Sequence, residues 1–340
     1  MNVNTMKMKE MNADIVRRIL RDEGIGTKAS LADRSGLSVA SCGNILKELA
    51  DRGEVRELPP GESTGGRPSR RFAYNADYAH ALSMYVRKEG GSATLFTAVS
   101  SLTGRTLTEE ARRVENLAPG DLEEAAARRM EETPTIRAAS LAVPGVVDAG
   151  RIGICDVPAL EAWDAADGLA AASGIPVVVE NDMNAAAWGL CRRRDAPASG
   201  SLVYLYFPDG GPPGAGIVVN GAIVRGRNNF AGELSFLPLG PSREEQARLP
   251  RDSEAFGVFV GKTVVSAVAV LDPDTVILSG LTLPPSLLDG IEAAIRRDLP
   301  VPRPPDLRFE QDIHASLAAG LVHLALRELT CGFELTRTTT

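Results

Sequence analysis

Val39, Ser41, Asn44 and Lys47 recur at steps of two and three residues, interleaved with Ile45, Leu46 and Leu49, an apolar stripe at helical spacing. On one helix the two sets lie on or near opposite faces. The first offers hydroxyl, amide and ammonium groups, the chemistry that reads base edges and phosphates in a DNA groove. Ser38 stands just ahead, placed to cap the helix and belonging to the same surface. Downstream, Arg67, Arg70 and Arg71 lie in Pro59-Pro-Gly-Glu-Ser-Thr-Gly-Gly-Arg-Pro-Ser-Arg-Arg71. Such a Gly/Pro-rich tip can lay guanidinium groups along phosphates or into a narrow minor groove.

These groups need a frame, and the flanking residues supply one. Thr27 is placed to cap a short helix carrying Leu31 and Ala32 inward, and Ser35-Gly36-Leu37 makes a turn in which Gly36 suits a left-handed backbone. Gly53-Glu-Val55 and Phe72-Ala-Tyr74 read as two strands joined by the basic tip. The spacing predicts a winged helix-turn-helix over residues 1–75. A plain helical hairpin followed by a solvated linker is the alternative.

Charge placement agrees with a nucleic-acid head. Residues 1–71 hold 13 Lys/Arg against 10 Asp/Glu, so the rest of a chain of net charge −7 carries −10. An acidic body binds DNA poorly, which confines the contacts to the head. At 340 residues, 44% hydrophobic and 24% charged, the composition is that of a globular protein of more than one domain. No run approaches eighteen consecutive apolar residues and the start lacks the apolar core of a signal peptide, so a cytoplasmic protein without a membrane partner is expected. Cys42, Cys155, Cys191 and Cys331 stand singly, which predicts reduced thiols and no metal site.

From about residue 79 strands alternate with helices, which predicts an α/β body over 76–340. Ala81–Val86, Ala93–Ser100, Ala138–Val143, Leu202–Phe207 and Ile217–Val219 read as strands, as does Val177-Val-Val-Glu-Asn-Asp182, which runs into a helix from Asn184. Asp121–Glu132 and Val264–Leu271 read as helices. Their order hints at two similar halves.

The chain resembles the ROK family of sugar-responsive bacterial repressors and sugar kinases. The resemblance rests on four stretches. They are Gly65-Gly-Arg-Pro68; Val143-Pro-Gly-Val-Val147; Glu180-Asn-Asp182 with Asn184-Ala-Ala-Ala187; and Gly214-Ala-Gly-Ile-Val-Val-Asn-Gly221 running to Arg225-Gly226 and Ala231-Gly-Glu233. It implies an actin-like, two-lobed body behind a winged helix-turn-helix, with an effector cleft between the lobes. By the same resemblance Asp182 matches the base that faces a sugar hydroxyl, Glu233 grips further hydroxyls, and Gly145 lines the floor. Glu180, Asn181 and Asp156 are expected beside them.

Departures from the family shape the functional expectation. Tyr85 and Arg87 stand where the kinases' phosphate loop has its acid and a glycine, Pro212 replaces a second-loop glycine, and Leu281 follows Ser279-Gly280 in place of another. A proline has no N–H to offer a phosphate. No nucleotide cofactor is therefore expected. Ser235-Phe236 replaces the Gly-His pair that bridges sugar and zinc in the family, and residues 237–254 contain no cysteine. Phe236 instead offers an apolar face that could stack on a ring.

The reading that follows is a DNA-binding transcriptional regulator, expected to act as a repressor without kinase activity. It would bind an inverted repeat in double-stranded DNA as a homodimer or homotetramer. A cleft of carboxylates and one amide suggests a neutral or amino sugar as effector rather than a sugar phosphate. The rivals are a constitutive or protein-controlled regulator with no sugar ligand, and a sugar kinase with an appended head.

Overall fold

The computed structural model describes residues 3–59, 69–89, 92–191, 200–208, 211–249, 254–280, 290–291, 296–299 and 304–330. Arg67, Leu281 and Cys331 lie outside the described residues. The head begins with α1 (Val3–Glu23), β1 (Ile25–Thr27), α2 (Lys28–Ser35) and α3 (Val39–Asp51), and closes with β2 (Val55–Leu58) and β3 (Arg71–Tyr74). The strands form an antiparallel sheet in the order β1-β3-β2.

Local chemistry sets these boundaries. Thr27 and Ser30 form a reciprocal capping box, and Gly36 ends α2 at φ 70°. The Ser38 hydroxyl accepts from Ser41 N at 3.1 Å and opens α3. Cys42, Ile45, Leu46 and Leu49 turn inward against Val16, Leu20, Leu31 and Phe72, giving the head its own core. Arg17 fastens α1 to the base of the wing by donating to Glu54 Oε2 at 2.6 Å.

Two five-stranded sheets build the body, with one strand order used twice. In lobe I, β4 (His80–Glu89), β5 (Ser92–Ser101) and β6 (Thr106–Val114) form an antiparallel meander. Then β7 (Ile136–Val143) and β10 (Val177–Asn181) add in parallel, giving β10-β7-β4-β5-β6. A hairpin of β8 (Gly145–Asp148) and β9 (Arg151–Cys155) lies between them in sequence. In lobe II, β11 (Ser201–Tyr206), β12 (Gly214–Val219) and β13 (Ala222–Ile223) make the meander, and β14 (Thr275–Ser279) and β15 (Asp306–Glu310) complete it as β13-β12-β11-β14-β15. This is the doubled, actin-like fold that the strand order hinted at.

Helices α4 (Pro119–Glu132) and α5 (Ala165–Ser173) cover lobe I on one face, and α8 (Glu254–Leu271) covers lobe II. α8 is long and apolar enough to cross a membrane by composition, but Phe256, Val260 and Val264 are buried in the core of lobe II, which accounts for that composition. Between the sheets cross α6 (Asp182–Cys191) and the helix His314–Thr330, here α9. Their backbones approach so closely that a Cβ on Gly320 would lie 1.8 Å from Ala185 O, and one on Gly189 1.9 Å from Ser316 O. Only glycine fits at that crossing. The far half of α9 sends Val322, Ala325 and Leu326 into a cluster with Ala79 and Leu102, against which Tyr74 of the wing also packs. One helix therefore runs from the lobe interface to the root of the head.

Candidate functional site

β10 delivers its last residue to the cleft and α6 begins there. Asp182 is the first residue of α6, where its Oδ1 accepts from Met183 N at 2.8 Å. Burial pushes its carboxyl up to about 8, and the charges of Asp156 and Glu233 push the same way. Asn181 caps α6 by accepting from Asn184 N at 3.0 Å, while its Nδ2 donates to Gly145 O at 3.0 Å. The amide both starts the helix and lines the cavity. Gly145 is obligatory because a Cβ would sit 2.6 Å from Ile154 O.

Gly145, Asp156, Asn181, Asp182, Glu233 and Phe236 all line one cavity of about 130 Å³ between the lobes. Asp156 is held at the floor by its N donating to Pro144 O at 2.9 Å. Burial raises the carboxyls of both Asp156 and Glu233, and Arg243 opposes the rise in each. Glu180 is different, and its placement among the effector contacts is corrected. Its side chain is buried away from the cavity, with Oε1 accepting from Asn184 Nδ2 at 3.0 Å and Oε2 from Arg225 Nε at 3.1 Å. Side chains alternate along a strand, so neighbours in β10 cannot share a face. Glu180 fixes the junction from behind, paired with the arginine of Arg225-Gly226.

The cavity also holds cations that the sequence reading passed over. Arg87, Lys88 and Arg243 line it, and Lys88 Nζ donates to Asp156 O at 2.8 Å. Arg243 opens a short helix, α7 (Arg243–Arg248), behind a Ser242–Glu245 capping box, and its guanidinium lies 4.6 Å over the Phe236 ring. Phe230 tilts against the same ring at 5.0 Å. The cleft therefore holds more than the expected carboxylates and one amide: Lys88 and Arg243 face the acids, while the Arg87 guanidinium lies 5.2 Å over the Phe96 ring. Arg87 stands at a lost glycine position of the phosphate loop, and Lys88 follows it into the cleft. The Ser242-Arg-Glu-Glu245 pattern was a readable signal for a helix that carries Arg243.

The groups a nucleotide or zinc would need are replaced by ones that do not fit them. Tyr85 is buried, stacked on Phe96 at 4.3 Å and hydrogen-bonded to His314, so no acid is presented to a metal-bound phosphate there. Pro212 lines the cleft in place of a glycine N–H. Phe236 and the capped start of α7 occupy the stretch where zinc ligands stand in the resembling kinases and repressors.

In the head, Val39, Asn44 and Lys47 are exposed on α3, and Ser41 is half-exposed. The Ser38 and Ser41 hydroxyls lie 2.9 Å apart, so the cap engages both. Arg70 is exposed beside β3 and paired with Glu57 at 2.9 Å. Arg71 is a strand residue between Thr27 and Leu58, with its Nε buried, and so belongs to the central strand of the head's sheet rather than the wing's tip.

Comparison with known proteins agrees with this geometry. The chain is 23% identical to NagC of Escherichia coli K12, a DNA-binding transcriptional dual regulator, over 93% of each chain. It is 22% identical to the xylose repressor of Bacillus subtilis over 68% of this chain and 61% of that one. Among solved structures, a ROK family transcriptional regulator homologous to the E. coli Mlc protein superposes with a TM-score of 0.73, covering 94% of this chain and 97% of that one at 20% identity. The ROK hexokinase of Thermus thermophilus superposes at 0.59, at 25% identity, covering 74% and 99%. Residues 89–248, which span the cleft and parts of both lobes, match the ROK family.

Proposed function

We propose that this chain is a sequence-specific, DNA-binding transcriptional regulator, a repressor, controlled by a carbohydrate-like effector and devoid of kinase activity. Residues 1–75 bind DNA, with α3 in the major groove and the wing on the backbone. Residues 76–340 bind effector and assemble the homodimer or homotetramer that one inverted repeat requires, since a single winged helix makes too few contacts for tight specific binding. Relatives that are repressors over nearly the same length support the reading. Such a regulator works in the cytoplasm, where its operator is.

The observation that carries the effector reading is Asp182 at the start of α6, half-buried in a cavity with Asn181, Glu233 and Asp156 while the phosphate-binding groups opposite are gone. Hydroxyls that donate to acids and accept from Asn181 satisfy such a lining. With cations present, a neutral sugar fits better than an amino sugar. Effector that seats α6 differently in two states moves α9 through the Gly189–Gly320 crossing, and α9 ends under Tyr74. Control then follows from the effector's different affinity for the two arrangements.

DNase footprinting on the promoter region beside the coding sequence tests the first half. A symmetric protected site with two half-sites is expected. A coupled ATPase assay across a hexose panel tests the second and is expected to stay at background. Sugar-dependent turnover lost in Asp182→Ala would make the chain a kinase.

A further inference from the structure

The face of the lobe I sheet turned toward α9 places Tyr85 opposite Phe96, Ser83 opposite Ala98, and Ala81 opposite Ser100 across β4 and β5. From the other side α9 offers Ala315, Ala318 and Ala319. Large side chains at one end and small ones on both walls leave a cavity of about 280 Å³. Its closed end is built. The Tyr85 hydroxyl is bonded to His314 Nδ1, and His314 Nε2 faces Glu109 at 2.8 Å. On the small-residue wall the hydroxyls of Ser83 and Ser100, residues 4% and 0% exposed, have no hydrogen-bond partner among the described residues.

A dry hydroxyl without a partner is costly, and two of them in one cavity wall form a polar spot facing the alanines of α9. The acid and the base of the lining, Glu109 and His314, answer each other, so the lining calls for no ion. An apolar body with one or two hydrogen-bonding groups matches it, following the general pattern of small-molecule pockets. We propose that this cavity is a second small-molecule site, separate from the effector cleft, for a compact uncharged ring compound carrying a hydroxyl. Val322 lines the cavity and also belongs to the cluster beneath the head. A molecule bound here therefore braces the helix that links the lobes to the DNA-binding unit.

Phenol is the probe and toluene its hydroxyl-free counterpart, each titrated against the full chain by ligand-observed NMR. Phenol is expected to bind saturably. Ser83→Ala/Ser100→Ala is expected to weaken phenol roughly tenfold and leave toluene unweakened, because only the hydroxyl partners are lost. Ala318→Leu, which fills the cavity, is expected to remove both while operator binding reports an intact fold. Asp182→Ala is expected to change neither. No saturable phenol binding to the wild-type chain, or equal phenol affinity in the double serine variant, overturns the proposal. So does phenol binding lost in Asp182→Ala, which would put the ring in the effector cleft.

Discussion

The head and the interlobe cleft handle charge in opposite ways. On the head, Lys47 and Arg70 stand in solvent on a surface fixed by short-range caps at Thr27 and Ser38. In the cleft, Asp182 and Glu233 are half-buried and Asp156 stands at the mouth, and partial desolvation raises all three carboxyls. Exposed charge suits a polyanion, because its attraction comes from released counterions and needs no desolvation of the protein. Partly buried acids suit hydroxyls, which hydrogen-bond to them where water competes less than on an open surface. The two regions therefore respond to different variables, salt for the head and pH for the cleft, and α9 joins them.

The largest effect expected is the loss of the head itself. Deleting residues 1–75 is expected to abolish operator binding in a gel-shift assay while the body still folds on its own two cores. A truncated chain that binds the operator as tightly as the whole would end the division of labour. The link between the regions comes next. Gly320→Ala puts a methyl group 1.8 Å from Ala185 O, so α6 and α9 must part. A loss of about 3 kcal/mol in urea unfolding is expected, the scale of overpacking against backbone.

The cleft's own signature is smaller and depends on pH. The Asp182 carboxyl sits at about 8 in the fold against 3.8 for its ordinary value. Its folded form prefers the proton, so the stability it contributes is complete below about pH 4 and drains away as pH rises to about 8. Asp156 and Glu233 rise too and add in the same direction. Asp182→Asn holds the protonated shape at every pH and is expected to flatten this part of the curve in thermal melts from pH 5 to 8. An unchanged slope would mean that Asp182 is not the buried acid described. The smallest effect belongs to the wing. Arg70→Ala is expected to weaken operator and nonspecific DNA alike and to lower the salt slope by about 1, whereas Asn44→Ala is expected to cost roughly 1–3 kcal/mol at a single base pair.

What was legible in the sequence follows the same division. The head rests on contacts a few residues apart, so Thr27, Gly36 and Ser38 could be assigned to caps and a turn in advance, and each stands there. In the body, Val177–Asn181 and its helix were readable, although α6 starts at Asp182 rather than Asn184. The edge strand β6 carries Glu109, Glu110, Arg112 and Arg113, and its exposed, charged pattern hid it. α8 begins ten residues before the stretch read as helical, because Phe256 to Val260 carries no polar face to mark a period. In the cleft, Arg243 meets Asp156 only after the chain has built both lobes, a separation that no local pattern reports. Glu180 was misplaced for a simpler reason: it adjoins two lining residues, but alternation along β10 sends its side chain to the opposite face.

The central claim is that one cleft governs one head. Operator affinity measured by fluorescence anisotropy against a panel of neutral hexoses, amino sugars and sugar phosphates tests it most directly, on the wild-type chain and on Asp182→Ala. At least one neutral sugar is expected to shift wild-type affinity tenfold or more, with Asp182→Ala binding the operator normally and ignoring that sugar. A sugar response of equal size in Asp182→Ala, or no response of the wild-type chain to any of the panel, would contradict it.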